Sequence, residues 1–202
     1  MALKREIVKL DEYTNDWEKE YLKEEKLLKS LLKDKIIEIH HIGSTSIPGL
    51  KAKPIIDILI VLKDFDCIDD ITNILEHYGY ENRGKQGIDD RFFFAKGPDD
   101  ARTHYIHFTL PNSDTYYNQI YFKKYLIEHP EYIQKYCDLK EKLAKQYENM
   151  SPQEQVIYLA EAEKIFTAFD KVPEALWDEE YEKYKKVLKK YNDIKMFRWA
   201  SN

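Results

Sequence analysis

The run from Ile55 to Leu62, IIDILIVL, constrains this chain more than any other segment. A strand with one face in water alternates apolar and polar residues, and this run does not. It is therefore predicted as a central strand covered on both faces. Pro54 opens it, a position where proline is tolerated in a strand. The one exception in the run is Asp57, and a carboxylate in apolar surroundings is costly unless something pairs with it. Just upstream stands a small polar loop, Gly43-Ser44-Thr45-Ser46.

The rest of the first half shows both regular periods. Asp16 to Asp34 reads as a helix, with Trp17, Tyr21, Leu28, Leu31 and Leu32 at three- and four-residue steps. Lys35 to Ile42 is a β-branched strand that stops at Gly43. In it Ile37, Ile39 and His41 share one face, and Ile36, Glu38, His40 and Ile42 the other. The segment DFDCIDDITNILEHYGY is predicted helical, with Ile68, Ile71, Ile74, Leu75 and Tyr78 inward and Gly79 as its stop. RFFFA and THYIHFTL are two more strands around the turn-like KGPDDAR. From Asp114 the reading is helix after helix: to about Glu128, from Pro130 to Met150, from Ser151 to Asp170, and from Pro173 to about Ile194. The expected class is α+β, with a mixed-sheet core and flanking helices over residues 1–112. A helical region over 113–202 is expected to pack on that core, with 173–202 as a C-terminal helical extension.

Composition narrows the partners. Lys and Arg total 32 against 37 Asp and Glu, a net charge of −5 with both signs spread along the chain. No broad cationic surface is present, so duplex nucleic acid is not an expected partner. The two cysteines, Cys67 and Cys137, have no zinc-ligand spacing and give no disulfide framework. No apolar run reaches the ~20 residues that span a bilayer, and MALKREIVKLDEY lacks a signal-peptide core. A reducing cytoplasm and no membrane are expected. Trp177, Tyr181, Tyr184, Leu188 and Tyr191 form a packing seam on the last helix, either against the body or between chains. A homodimer or a protein partner through that helix is the corresponding expectation.

Two readings of the polar loop stand side by side. In one, Gly43 supplies a special backbone conformation and Ser44, Thr45 and Ser46 offer hydroxyls and N–H groups to a phosphate. In the other, it is an ordinary connection capped by serine. Lys53 stands at the mouth of the Asp57 strand, suited to a phosphate or to an acid. His107 lies on the polar face of its strand with Tyr105, placed to reach a phosphate, a metal beside Asp57, or a reacting hydroxyl as base. His104 lies on the apolar face and is expected to be a satisfied, partly buried histidine. Arg91 and Arg102 flank the later strands, where bidentate phosphate contacts are natural. A Mg²⁺ ion at Asp57 would want a second acid two residues on, on the same strand face, but that position is Leu59. Glu38, on the preceding strand, is the other acid considered for approaching Asp57.

HIGSTSIPGLKAKPIIDILI closely resembles the signature of the GrpB-like family, a group assigned by fold similarity to the nucleotidyltransferase superfamily. The likeness continues in YTNDW, GYENRGKQGIDDRFFF, RTHYIHF and FKKYLIEHPEYIQKYCDLKEKLA, from about Ile7 to Phe169. The chain departs from the family pattern where His-His-x-His is replaced by His104, Tyr105, Ile106 and His107. It departs again at Lys123-Lys124, at Ile127 and at Ala162, where the family has Arg-Asp, Arg and Lys. The resemblance implies a nucleotidyltransferase-like fold whose loop, at Gly43 and Ser44, faces a triphosphate. Members also occur fused to dephospho-CoA kinase, a nucleotide or coenzyme A context. The expected function is binding of a nucleotide or other phosphorylated small molecule, with metal-assisted nucleotidyl transfer as its catalytic form. In it Gly43, Ser44, Thr45, Ser46, Lys53, Arg91 and Arg102 hold phosphates, Asp57 binds Mg²⁺ or an acceptor, and His107 completes the site. The alternative is a non-catalytic accessory module on the same scaffold, linked to coenzyme A metabolism.

Overall fold

The computed structural model describes residues 10–99 and 101–147. Its elements run α1 (Asp16–Leu32), β1 (Ile36–Ile42), β2 (Ile56–Leu62), α2 (Ile68–Glu76), β3 (Tyr80–Asn82), β4 (Arg91–Lys96), β5 (His104–Thr109), α3 (Asp114–Glu128) and α4 (Glu131–Tyr147). The expected class is correct: this is an α+β fold on a five-stranded mixed sheet of order β1-β2-β5-β4-β3. Strand β2 pairs antiparallel with β1 and parallel with β5, and the other pairings are antiparallel. The chain divides into two compact units, Met1–Cys137 and Asp138–Asn202. Helix α3 and the first part of α4 thus belong to the unit that holds the sheet. Beyond Tyr147, the helices read at Ser151 to Asp170 and Pro173 to Ile194, and with them the extension 173–202 and its seam, lie outside the described residues.

Period-two alternation makes the two faces of the sheet different in kind. Ile56, Ile58, Ile60 and Leu62 of β2 pack with Phe94, Ile106 and Phe108 against Trp17, Tyr21, Leu28 and Leu32 of α1 and Ile71 and Leu75 of α2. The opposite face carries Asp57, Leu59 and Val61, then Tyr105, His107 and Thr109, then Arg91 and Phe93. Leu59 and Val61 are fully buried there too, which accounts for the unbroken apolar run. Helix α3 lies over this second face. Its Tyr116 hydroxyl donates to Glu38 Oε2 at 3.2 Å and its Lys123 ammonium to the His41 carbonyl at 2.9 Å. Seven helical residues span ~10.5 Å and three strand residues about 10 Å, so α3 runs alongside β1 in the same direction.

Two local expectations are corrected, and one strand is added to those predicted. The β1–β2 register shifts between Ile36 and Glu38, so Ile36 pairs with Leu62 and packs with Ile39 against the core, not with Glu38. Tyr78 is 42% exposed, because α2 ends at Glu76 and the chain turns at Gly79. The three-residue edge strand β3 is too short to show a period.

Helix α1 also buries an acid that its pattern marks as outward. Glu24 is 6% exposed; its Oε1 accepts from Lys96 Nζ at 2.6 Å and from the Tyr80 hydroxyl at 2.9 Å. Burial and the neighbouring Glu24 charge push the Tyr80 phenol far above its ordinary pKa. Glu24→Leu strands the Lys96 ammonium, and breaking a buried pair from one side costs about 3 kcal/mol or more. Urea unfolding should show that loss, and Glu24→Leu/Lys96→Met should recover part of it.

Candidate functional site

Strand β1 ends at Ile42, which stands opposite Asp57 in the β1–β2 register. The chain must leave the sheet at that point without striking the carboxylate beside it. Gly43 does this at φ 69° and ψ −176°, a region that is essentially glycine-only. A Cβ at Gly43 would lie 2.5 Å from Asp57 Oδ2. Glycine is therefore required twice, for its dihedrals and for the space that Asp57 fills.

The loop that follows is braced from within. Ser46 Oγ donates to the Gly43 carbonyl at 2.7 Å. Thr45 Oγ1 lies 3.1 Å from His41 Nε2 and 3.4 Å from the Ile55 carbonyl. His41 Nδ1 is 3.0 Å from Glu18 Oε2, and its ring stacks on Tyr21 at 4.6 Å. Burial lowers the His41 pKa against the opposing pull of Glu18. Farther along, Ile47 and Leu50 pack with Leu126 and Cys137, against Phe122, Tyr125 and Ile133.

Across from Asp57 stands His107, whose Nε2 lies 3.5 Å from Asp57 Oδ1, within ion-pair range but without hydrogen-bond alignment. His107 Nδ1 is 3.4 Å from Arg91 Nη1. Phe93 packs against both, its ring centroid 5.2 Å from the imidazole and 5.1 Å from the guanidinium. Burial pushes the His107 pKa down and the Arg91 charge adds to this, while Asp57 pulls it up. Lys53 is half-buried beside the corner. Loss of solvent lowers its ammonium pKa, and the Asp57 charge opposes that.

The sequence-derived set is thus brought together only in part. Gly43, Asp57, Lys53 and His107 share one corner, with Arg91 behind His107 and Ser44 half-buried at the start of the loop's turn. Thr45 and Ser46 are corrected: they are buried, and their hydroxyls tie the loop to itself and to His41 instead of facing a ligand. Arg102 is corrected too. Its guanidinium is held by Glu81, Asp99 and the carbonyls of Ala95 and Gly97, so it locks the β4–β5 turn. Glu38 stands four residues from Ile42 on β1, about 13 Å along the strand from Asp57's partner, and binds His40 and Tyr116. A residue not singled out for the site is Lys123. Its anchoring to the His41 carbonyl brings an ammonium with a burial-lowered pKa next to the Gly43 loop. The signal available was its place in the resembling FKKYL segment.

Magnesium takes oxygen ligands in an octahedron, usually from one or two carboxylates plus phosphates and water. Asp57 is instead surrounded by Lys53, His107 and Leu59. Among the described residues, no three acid, histidine or cysteine side chains gather for a metal. The residues present do not fit a magnesium site built by the protein.

A family model described as "GrpB protein" matches residues 7–171. The chain belongs to this GrpB family. It is 36% identical to the UPF0157 protein YqkA of Bacillus subtilis (strain 168) over 135 residues, 67% of this chain and 39% of that one. It thus spans about two fifths of that relative's length. With the glutamate-rich protein GrpB of Alkalihalophilus pseudofirmus it shares 32% identity over 68% of this chain and 81% of that protein. The crystal structure of conserved protein GrpB from Enterococcus faecalis superposes with a TM-score of 0.69 at 31% identity. The match covers 91% of this chain and 99% of that one. The resemblance read from the opening motif is therefore correct, and its extent is close to that read from the sequence.

The corner makes two predictions for this GrpB-family chain. Gly43→Ala should destabilise by about 1–3 kcal/mol from backbone strain alone, with the clash at Asp57 added. In an Asp57→Ser background the carboxylate's share of that clash should go, while the 3.0 Å approach to the residue-57 Cβ stays, and a double-mutant cycle in urea reads the difference. Second, the His41, His104 and His107 pKa values are all lowered, by burial first. The unfolded chain then binds more protons than the folded one once pH falls through the ordinary imidazole value near 6.5. Stability should drop from there down to the folded values, by up to about 1.4 kcal/mol per pH unit for each imidazole. Urea midpoints between pH 7.5 and 5 should show this, with a shallower slope in His107→Gln.

Proposed function

We propose that this is a cytoplasmic protein of nucleotidyltransferase type that binds a nucleotide or other phosphorylated small molecule at the corner where β1 ends and β2 begins. The observation that carries the reading is the placement of Asp57. A carboxylate is held against a glycine-only turn, with the Lys53 ammonium and the buried His107 ring beside it. Folding alone calls for none of these, since an apolar residue at position 57 would suit β2 better. In this reading the Gly43–Ser44 turn and Lys53 face the phosphate, Lys123 adds a second positive charge from α3, and Asp57 faces the ligand's polar group. Arg91 serves from behind His107. Transfer of the bound phosphoryl-linked group is the catalytic form of the proposal. A lone carboxylate between an ammonium and an imidazole does not supply a metal site of the protein's own.

A second reading, a non-catalytic accessory module tied to coenzyme A metabolism, is favoured by one specific feature. Leu59 occupies the position where a second carboxylate would complete a metal pair, and Glu38 is too far along β1 to replace it. Under that reading Asp57 answers to the loop alone.

Thermal unfolding across nucleoside triphosphates, coenzyme A precursors and inorganic phosphate, with and without Mg²⁺, separates the two. A ligand at a hundred times its Kd should add ~2.7 kcal/mol of stability. Asp57→Asn should lose that shift while keeping its own cooperative transition. No shift with any of these ligands, together with a stable protein partner recovered on the purified chain, would replace the binding reading with the accessory one.

A further inference from the structure

Arg91 is 2% exposed on β4, and no phosphate-binding role needs it so deep. On the sheet face its Nη1 lies 3.4 Å from His107 Nδ1. A guanidinium has only N–H donors and does not deprotonate in proteins. The imidazole nitrogen that faces it must therefore be the acceptor. An imidazolium would set an N–H against an N–H there and place two positive charges in contact, so the ring is held neutral. A neutral imidazole with its lone pair on Nδ1 carries its proton on Nε2. That atom is buried, lacks an aligned hydrogen-bond partner, and stands 3.5 Å from Asp57 Oδ1.

We propose that Arg91 is the positioning residue of the site: it locks His107 as the Nε2–H tautomer, so that His107 is a hydrogen-bond donor toward Asp57 and Asp57 is the group that accepts a proton or hydrogen bond from the ligand. The β4–β5 register supports this. Phe93 is the direct partner of His107 and Arg91 is two residues away on the same face, so the two lie diagonally across the pair. Phe93 packs under the guanidinium and against the imidazole, holding both in place. The inference rests on the binding reading above and sharpens its ligand class. The group set before Asp57 must itself carry an O–H or N–H, as a ribose or other alcohol or an amine does. A His107 general base is excluded by this arrangement, since its lone pair points at Arg91.

The test does not need the ligand. The protein, ¹⁵N-labelled at histidine, is studied by long-range ¹H–¹⁵N NMR at neutral pH, with His107→Gln used to assign the His107 signals. A protonated Nε2 and an unprotonated Nδ1 are expected. A protonated Nδ1, or both nitrogens protonated, would overturn the proposal. Arg91→Met should release the lock and give a mixture of tautomers, and Arg91→Lys should restore much of the preference. An unchanged tautomer in a folded Arg91→Met protein would also overturn it. If Arg91→Met fails to fold, the wild-type tautomer decides. Failure of the binding reading looks different: the locked tautomer is found, yet no phosphorylated compound, with or without a hydroxyl, stabilises the protein.

Discussion

The parallel pairing of β2 with β5 is the constraint on which the rest depends. It makes the most apolar strand an interior one, between β1 and β5, and fixes which residue of β5 meets Asp57. Asp57 pairs with Tyr105 and Leu59 with His107, so carboxylate and imidazole become diagonal neighbours on one face. A slip of one residue would turn either side chain into the α1–α2 core, where a carboxylate has no partner. Parallel strands need a crossover, and here α2, β3 and β4 supply it. That same crossover delivers Arg91 and Phe93 to the far side of His107.

The helices are fastened to the sheet through polar contacts as well as apolar ones. Helix α1 presents Glu18 to His41 and Glu24 to Lys96 and Tyr80. Helix α3 presents Tyr116 to Glu38 and Lys123 to the His41 carbonyl, and Asp90 accepts from the backbone and hydroxyl of Thr115 near the helix start. His41 is the joint of this scheme, since its ring reaches α1 and Thr45 while its carbonyl reaches α3. The loop at Gly43 is thereby held from both layers. Such pairs add directionality that apolar packing lacks.

How much was legible follows from the range of each signal. The boundaries of α3, the interior place of β2 and the break at Gly43 were readable, because periodicity and glycine chemistry act over a few neighbouring residues. Asp57 was conspicuous for the same reason. Thr45, Ser46 and Arg102 were misread because hydroxyls and guanidinium groups suit a ligand and a structural partner equally. Only the structure shows Gly43's carbonyl, His41 and the Glu81–Asp99 pair claiming them. The distance from Glu38 to Asp57 was not legible, because the separation between two strands in the chain says nothing of their register. Glu24 and Lys123 escaped notice since charged residues between apolar positions of a helix are ordinarily solvated.

By itself the sequence determined the elements of the described residues apart from β3, the burial of β2, the need for glycine at position 43 and the GrpB family signature. Each is a property of a contiguous stretch. Tertiary structure alone decided that His107 faces Asp57 and that Arg91 stands behind it. It also decided that Lys123 reaches the loop from α3, and that Glu38 lies too far along β1 to join Asp57. Those are relations between strands and layers, set by sheet order and register, and no local pattern encodes which residue a side chain will meet across the sheet.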